Sequence, residues 1–84
     1  MQWIEVSIVC ERVATDEVTT LFDDYADNGI IEEDVENHPN LIKLTMYADP
    51  SLDIDTIKSD LENRLTEANI NVTSINANIL DEST

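Results

Sequence analysis

Met1-Gln2-Trp3-Ile4-Glu5-Val6-Ser7-Ile8 is the stretch from which the rest of this chain can be read. Ile4, Val6 and Ile8 point one way and Trp3, Glu5 and Ser7 the other, the period of two expected of a strand with one face on a core. Cys10 has the parity of the inward set. A strand this early leaves no room for a targeting segment, Glu5 interrupts the first apolar run, and no basic residue precedes it, so no signal peptide is expected. No run approaches the roughly 18 apolar residues of a membrane span. The expectation is a soluble, cytoplasmic domain.

Working outward, Val18, Leu21, Phe22, Tyr25 and Ala26 recur at spacings of three and four and predict a helix. Thr15 is read as its N-cap, Asp16 and Glu17 suit its positive end, and Asn28-Gly29 is read as its stop. Ile30, Ile31 and Val35 mark a short strand whose acids Glu32, Glu33, Asp34 and Glu36 suit a sheet edge. His38-Pro39-Asn40 is read as a turn before a third strand, Leu41 to Ala48, with Ile42, Leu44, Met46 and Ala48 on one face. Asp53 caps a second helix whose stripe is Ile54, Ile57, Leu61, Leu65 and Ala68, and Asn69 stops it. The last strand carries Val72, Ile75, Ala77 and Ile79, with a bulge expected near Thr73 and Ser74, where the alternation fails.

Strand, helix, strand, strand, helix, strand is the order of the ferredoxin-like βαββαβ sandwich, an α+β fold with a four-stranded antiparallel sheet and two helices on one face. The domain is expected to span residues 1–80, with 81–84 the start of a linker or tail. Two helices cover only one sheet face, so the other is expected to be open. Strands one and three are the central neighbours of this topology. Their outward residues, Trp3, Glu5, Ser7, Lys43, Thr45 and Tyr47, form the candidate partner-binding set.

The 84-residue chain has 19 acidic residues against Arg12, Lys43, Lys58 and Arg64, a net charge of −15. Such a chain repels phosphate backbones, so direct nucleic-acid binding is not expected, and its acidity attracts basic partners. Gly29 is the single glycine, so neither a dinucleotide fingerprint nor a phosphate loop can be assembled. Cys10 is the only cysteine, which rules out an intramolecular disulfide, and its parity makes it buried packing rather than a nucleophile. His38 is read as a solvated loop histidine, without a partner for base catalysis. Asp24 to Gly29 resembles the opening of a calcium loop, but Ala26 and Val35 stand where ligands are needed. No catalytic, cofactor-binding or metal-ligating residue is nominated.

Trp3 and Glu5 in the opening strand, then Gly29-Ile30-Ile31-Glu32-Glu33-Asp34 after a capped helix, resemble the start of the ribosomal protein L-eleven methyltransferase (PrmA) family. The matching positions are Trp3, Glu5, Gly29, Ile30, Ile31, Glu33 and Asp34. Ala26, Asp27 and Asn28 replace the extra glycines usual there, and Glu32 stands where an apolar residue is common. The resemblance implies a noncatalytic substrate-recognition domain that docks a basic large-subunit ribosomal protein beside an adjoining methyltransferase domain. The S-adenosylmethionine site would belong to that absent domain. The alternative is a stand-alone ferredoxin-like regulatory or dimerisation module that binds a small effector or metal.

Overall fold

A computed structural model describes residues 2–26 and 29–81. Met1, Asp27, Asn28, Glu82, Ser83 and Thr84 are outside the described residues, and with them the first residue of the opening motif, the expected stop at Asn28 and the tail at 82–84.

The elements follow in the order β1 (Gln2–Glu11), a single 3-10 turn (Arg12–Ala14), α1 (Thr15–Phe22), β2 (Ile30–Val35), β3 (His38–Ala48), α2 (Ile54–Glu67) and β4 (Val72–Asp81). All strand pairs are antiparallel, and the sheet order is β2-β3-β1-β4, so β1 and β3 are central. This is the ferredoxin-like α+β sandwich expected from the sequence.

Alternation along β1 does what its pattern predicts. Ile4, Val6, Ile8 and Cys10 are buried, and so are their β3 counterparts Ile42, Leu44, Met46 and Ala48. Val18 and Phe22 of α1 and Ile57, Leu61 and Leu65 of α2 close the same core. Each such side chain removed from water contributes roughly 1.5–3 kcal/mol. The stripe of α2 ends sooner than expected, since Ala68 is exposed and serves as the C-cap. Asn69 follows at φ 58°, the left-handed conformation that ends a helix and that asparagine tolerates. Asp53 does cap α2, its Oδ1 accepting the Asp55 amide at 3.0 Å.

Three local expectations are corrected. Thr15 is the first residue of α1 rather than its cap, because the 3-10 turn already leads into the helix and the Thr15 hydroxyl donates back to the Arg12 carbonyl at 2.7 Å. α1 stops at Phe22, whose carbonyl accepts both the Tyr25 and Ala26 amides in the turn beyond. The β2–β3 turn is Glu36-Asn37 and not His38-Pro39-Asn40: Val35 pairs with His38, and Asn37 has φ 65°. Between Asp34 and Val35 the register advances one residue in β2 against four in β3, so Pro39 sits in a bulge, where its missing amide costs no ladder bond. That bulge presents the Pro39 carbonyl to Arg12 Nε at 2.8 Å, while the same guanidinium pairs with Asp34.

β4 has the expected bulge. Val9 pairs with Ser74 and Cys10 with Val72, so Thr73 is skipped. The strand continues to Asp81, which pairs with Gln2, one residue past the expected domain boundary.

Candidate functional site

The six residues singled out from the sequence share the helix-free face of the sheet, and strand register sets them in rows. Leu80 of β4 neighbours Trp3, and the next row is Asn78, Glu5 and Tyr47. Below it run Asn76, Ser7, Thr45 and Ile31, then Ser74, Val9, Lys43 and Glu33. Glu5 faces Tyr47 directly, and the Tyr47 hydroxyl donates to Glu5 Oε2 at 3.2 Å. Ser7 and Thr45, also opposite one another, join their hydroxyls at 3.1 Å.

The middle of this face is lower than its surroundings. Ser7 and Thr45 are short side chains, only 9% and 5% exposed although no helix covers them. Longer neighbours shield them and the hydroxyl pair satisfies their polarity, as buried polar groups require. Trp3 and Tyr47 are half-buried at the rim, and Ile31 is exposed on the β2 side. The face offers aromatic surface, hydroxyls, two amides, carboxylates and one lysine.

Charge is distributed unevenly. This face carries Glu5, Glu11 and Glu33 against Lys43, so only two of the fifteen net negative charges lie on it. The two sheet edges also differ. β2 has Glu32, Glu33 and Asp34 in succession, whereas residues 68–80, which include nearly all of β4, have no charge. The contributions of Ile31, Asn76, Asn78 and Leu80 were not anticipated; the uncharged run in so acidic a chain is the signal that marks the β4 residues.

Other reactive groups stay apart. Cys10 is buried beneath the helices, where burial, and then the charge of Glu11, push its thiol pKa up. His38 is exposed at the start of β3, so the two do not form a nucleophile and base. Glu32 and Asp34 point to the helix side and Glu33 to the open face, so the acidic run does not converge. Among the described residues, no group of three or more His, Cys, Asp or Glu side chains is placed to hold a metal. No helix among them is long and apolar enough to cross a membrane.

Where α1 hands over to β2, Tyr25 donates to Asp60, and Arg64 pairs with Asp24 and, at 3.1 Å, with Asp60. The bond to Asp60 is the main reason the Tyr25 pKa is raised, with burial second. This cluster pins the exit of α1 to α2. A shallow crevice of about 190 Å³ lies at the opposite end of the helices, between Glu11–Glu17 and Ala68–Asn71. It is smaller than the few hundred cubic ångströms of ordinary ligand pockets.

No protein-family model matches the chain, and no curated protein matches it. Among solved structures, the fold is similar to that of a candidate PII-like signalling protein from Thermus thermophilus, at 14% identity and a TM-score of 0.59. The match covers 95% of this chain and 89% of that one. At such identity the likeness speaks for the fold. It also corrects the main functional expectation, a methyltransferase's substrate-recognition domain docking a ribosomal protein. Nearly the whole chain is matched by nearly the whole of a protein described as signalling, not as a methyltransferase.

Proposed function

We propose that this chain is a noncatalytic regulatory module that self-associates through its sheet and takes a small effector on the open face. The observation that carries this is the sparing of the open face and of the β4 edge from charge. In a chain of net charge −15, two copies repel one another over most of their surfaces. The open face and the β4 edge are where they can approach. The likeness to a signalling protein supports a regulatory role.

Trp3, the only tryptophan, offers a planar apolar surface, while Ser7, Thr45, Asn76 and Asn78 supply hydrogen-bonding groups around it. A small planar organic molecule of low charge suits that combination. Sedimentation velocity of the 84-residue chain tests the assembly: a species heavier than the 9.5 kDa monomer is expected, and a monomer at every concentration up to the millimolar range would falsify the proposal. Trp3 emission across a panel of nucleobases, aromatic acids and amides tests the effector, for which a saturable shift is expected.

A further inference from the structure

We infer that the β4 edge is a pairing site for β4 of a second copy, which joins two sheets into one of eight strands about a two-fold axis at Ala77. This rests on the self-association proposed above and assigns it to an edge rather than to the open face.

An edge strand turns alternate N–H and C=O groups outward, and proteins commonly blunt such edges with charge, proline or very short strands. β2 follows that pattern: it has six residues, three of them consecutive acids. β4 does not. It has ten residues, lacks proline and glycine, and has no charge before its final Asp81, in a chain where 19 of 84 residues are acidic. Ile79 is 59% exposed and Leu80 37% exposed at its end, although Ile79 has core-face parity and pairs with the buried Ile4.

A second copy fits here because β4 is the edge that brings no carboxylate into the middle of the joint. Two-fold pairing is isologous, so one stretch of sequence serves both sides. Centred on Ala77, the register sets Ile79 beside Ile75 of the second copy, Asn78 beside Asn76, and Leu80 beside Ser74. Residues of equal parity meet, so both copies keep their helices on one side and their open faces on the other. The exposed Ile79 gains an apolar neighbour. The two Asp81 side chains lie at opposite ends of the joint. Trp3 and its surroundings stay uncovered.

Sedimentation velocity of the full chain with edge and face variants tests the inference. Asn76→Glu with Asn78→Glu places acids opposite acids at two points of the joint, and dimerisation weakened by about tenfold or more is expected, with thermal unfolding confirming the fold. Glu33→Lys, on the β2 edge, is expected to leave the dimer intact. Ala77→Cys is expected to give a reducible cross-linked dimer, since directly opposed residues lie about 4.5–5.5 Å apart between Cα atoms. An assembly indifferent to the paired glutamates but dispersed by Trp3→Glu puts the contact on the face; that overturns the edge and leaves the regulatory module standing. A dimer in which Ala77→Cys fails to cross-link overturns the Ala77 axis. A parent chain that stays monomeric overturns both the edge and the self-association on which it rests.

Discussion

Ser7 and Thr45 face each other across the two central strands, their hydroxyl oxygens 3.1 Å apart and nearly shut off from water on a sheet face that no helix covers. Removing one partner strands the other. Ser7→Ala or Thr45→Val alone is expected to cost about 1–2 kcal/mol, since an unpaired buried hydroxyl loses its hydration without compensation. The double variant is expected to cost less than the sum. Urea unfolding of the four proteins gives that coupling directly, and additive losses would mean the two hydroxyls act independently.

Tyr25 gives the fold an alkaline limit. Its pKa is raised above the ordinary value near 10, chiefly by the hydrogen bond to Asp60. A group with a raised folded-state pKa stabilises fully below its unfolded value and loses that contribution as pH climbs through the folded one. The parent is therefore expected to be more stable than Tyr25→Phe at pH 7 to 9, with the gap narrowing above about pH 10. Melting temperatures from pH 7 to 12 measure this. A gap that is constant with pH would show that the phenol contributes packing alone.

Cys10 is expected to be inert while the chain is folded. Its burial both hides the sulfur and raises its pKa, which starves it of thiolate. An aromatic disulfide reagent at pH 8 should label it slowly in buffer and rapidly in guanidinium chloride. Rapid labelling of the folded protein would require a local opening of β1 under the helices. Cys10→Ala is expected to cost about 1–2 kcal/mol through the space left in a closely packed core.

Self-association should strengthen with salt, the reverse of an attraction between opposite charges. Two copies of net charge −15 repel beyond their point of contact, and the screening length falls from about 30 Å at 0.01 M to about 10 Å at 0.1 M. A sheet-mediated dimer is expected to be weakest in dilute buffer and tighter at 0.3 M sodium chloride. Dissociation constants across that range decide it, and weakening with salt would point to a joint held by ion pairs.

Features that follow from the period of two were legible in the sequence. The buried row of Ile4, Val6, Ile8 and Cys10, the matching row on β3, and the shared face of Trp3, Glu5, Ser7, Lys43, Thr45 and Tyr47 all follow from parity and element order. The skipped Thr73 was legible because a bulge breaks that same period. The β2–β3 turn was not. His38-Pro39-Asn40 has turn composition, yet the chain reverses before it, at Glu36-Asn37, where Asn37 takes the left-handed conformation, and the proline is absorbed in a bulge whose carbonyl Arg12 engages. The end of α1 was likewise misplaced, since Tyr25 keeps the helical spacing of its stripe while its side chain reaches across to Asp60. Neither the pairing of β4 with β1 nor the shielding of Ser7 and Thr45 is written in local spacing, because both depend on register between distant strands.

The unequal edges of the sheet limit how far it can grow. A sheet with two bare edges can recruit strands at both and lengthen into a fibre. Here Glu32, Glu33 and Asp34 set carboxylates along one margin, and among the described residues only the margin formed by residues 72–80 lacks charge. In the proposed pairing, strand addition can therefore happen once. After it, both outer margins are acidic, and the assembly ends with a fixed number of members.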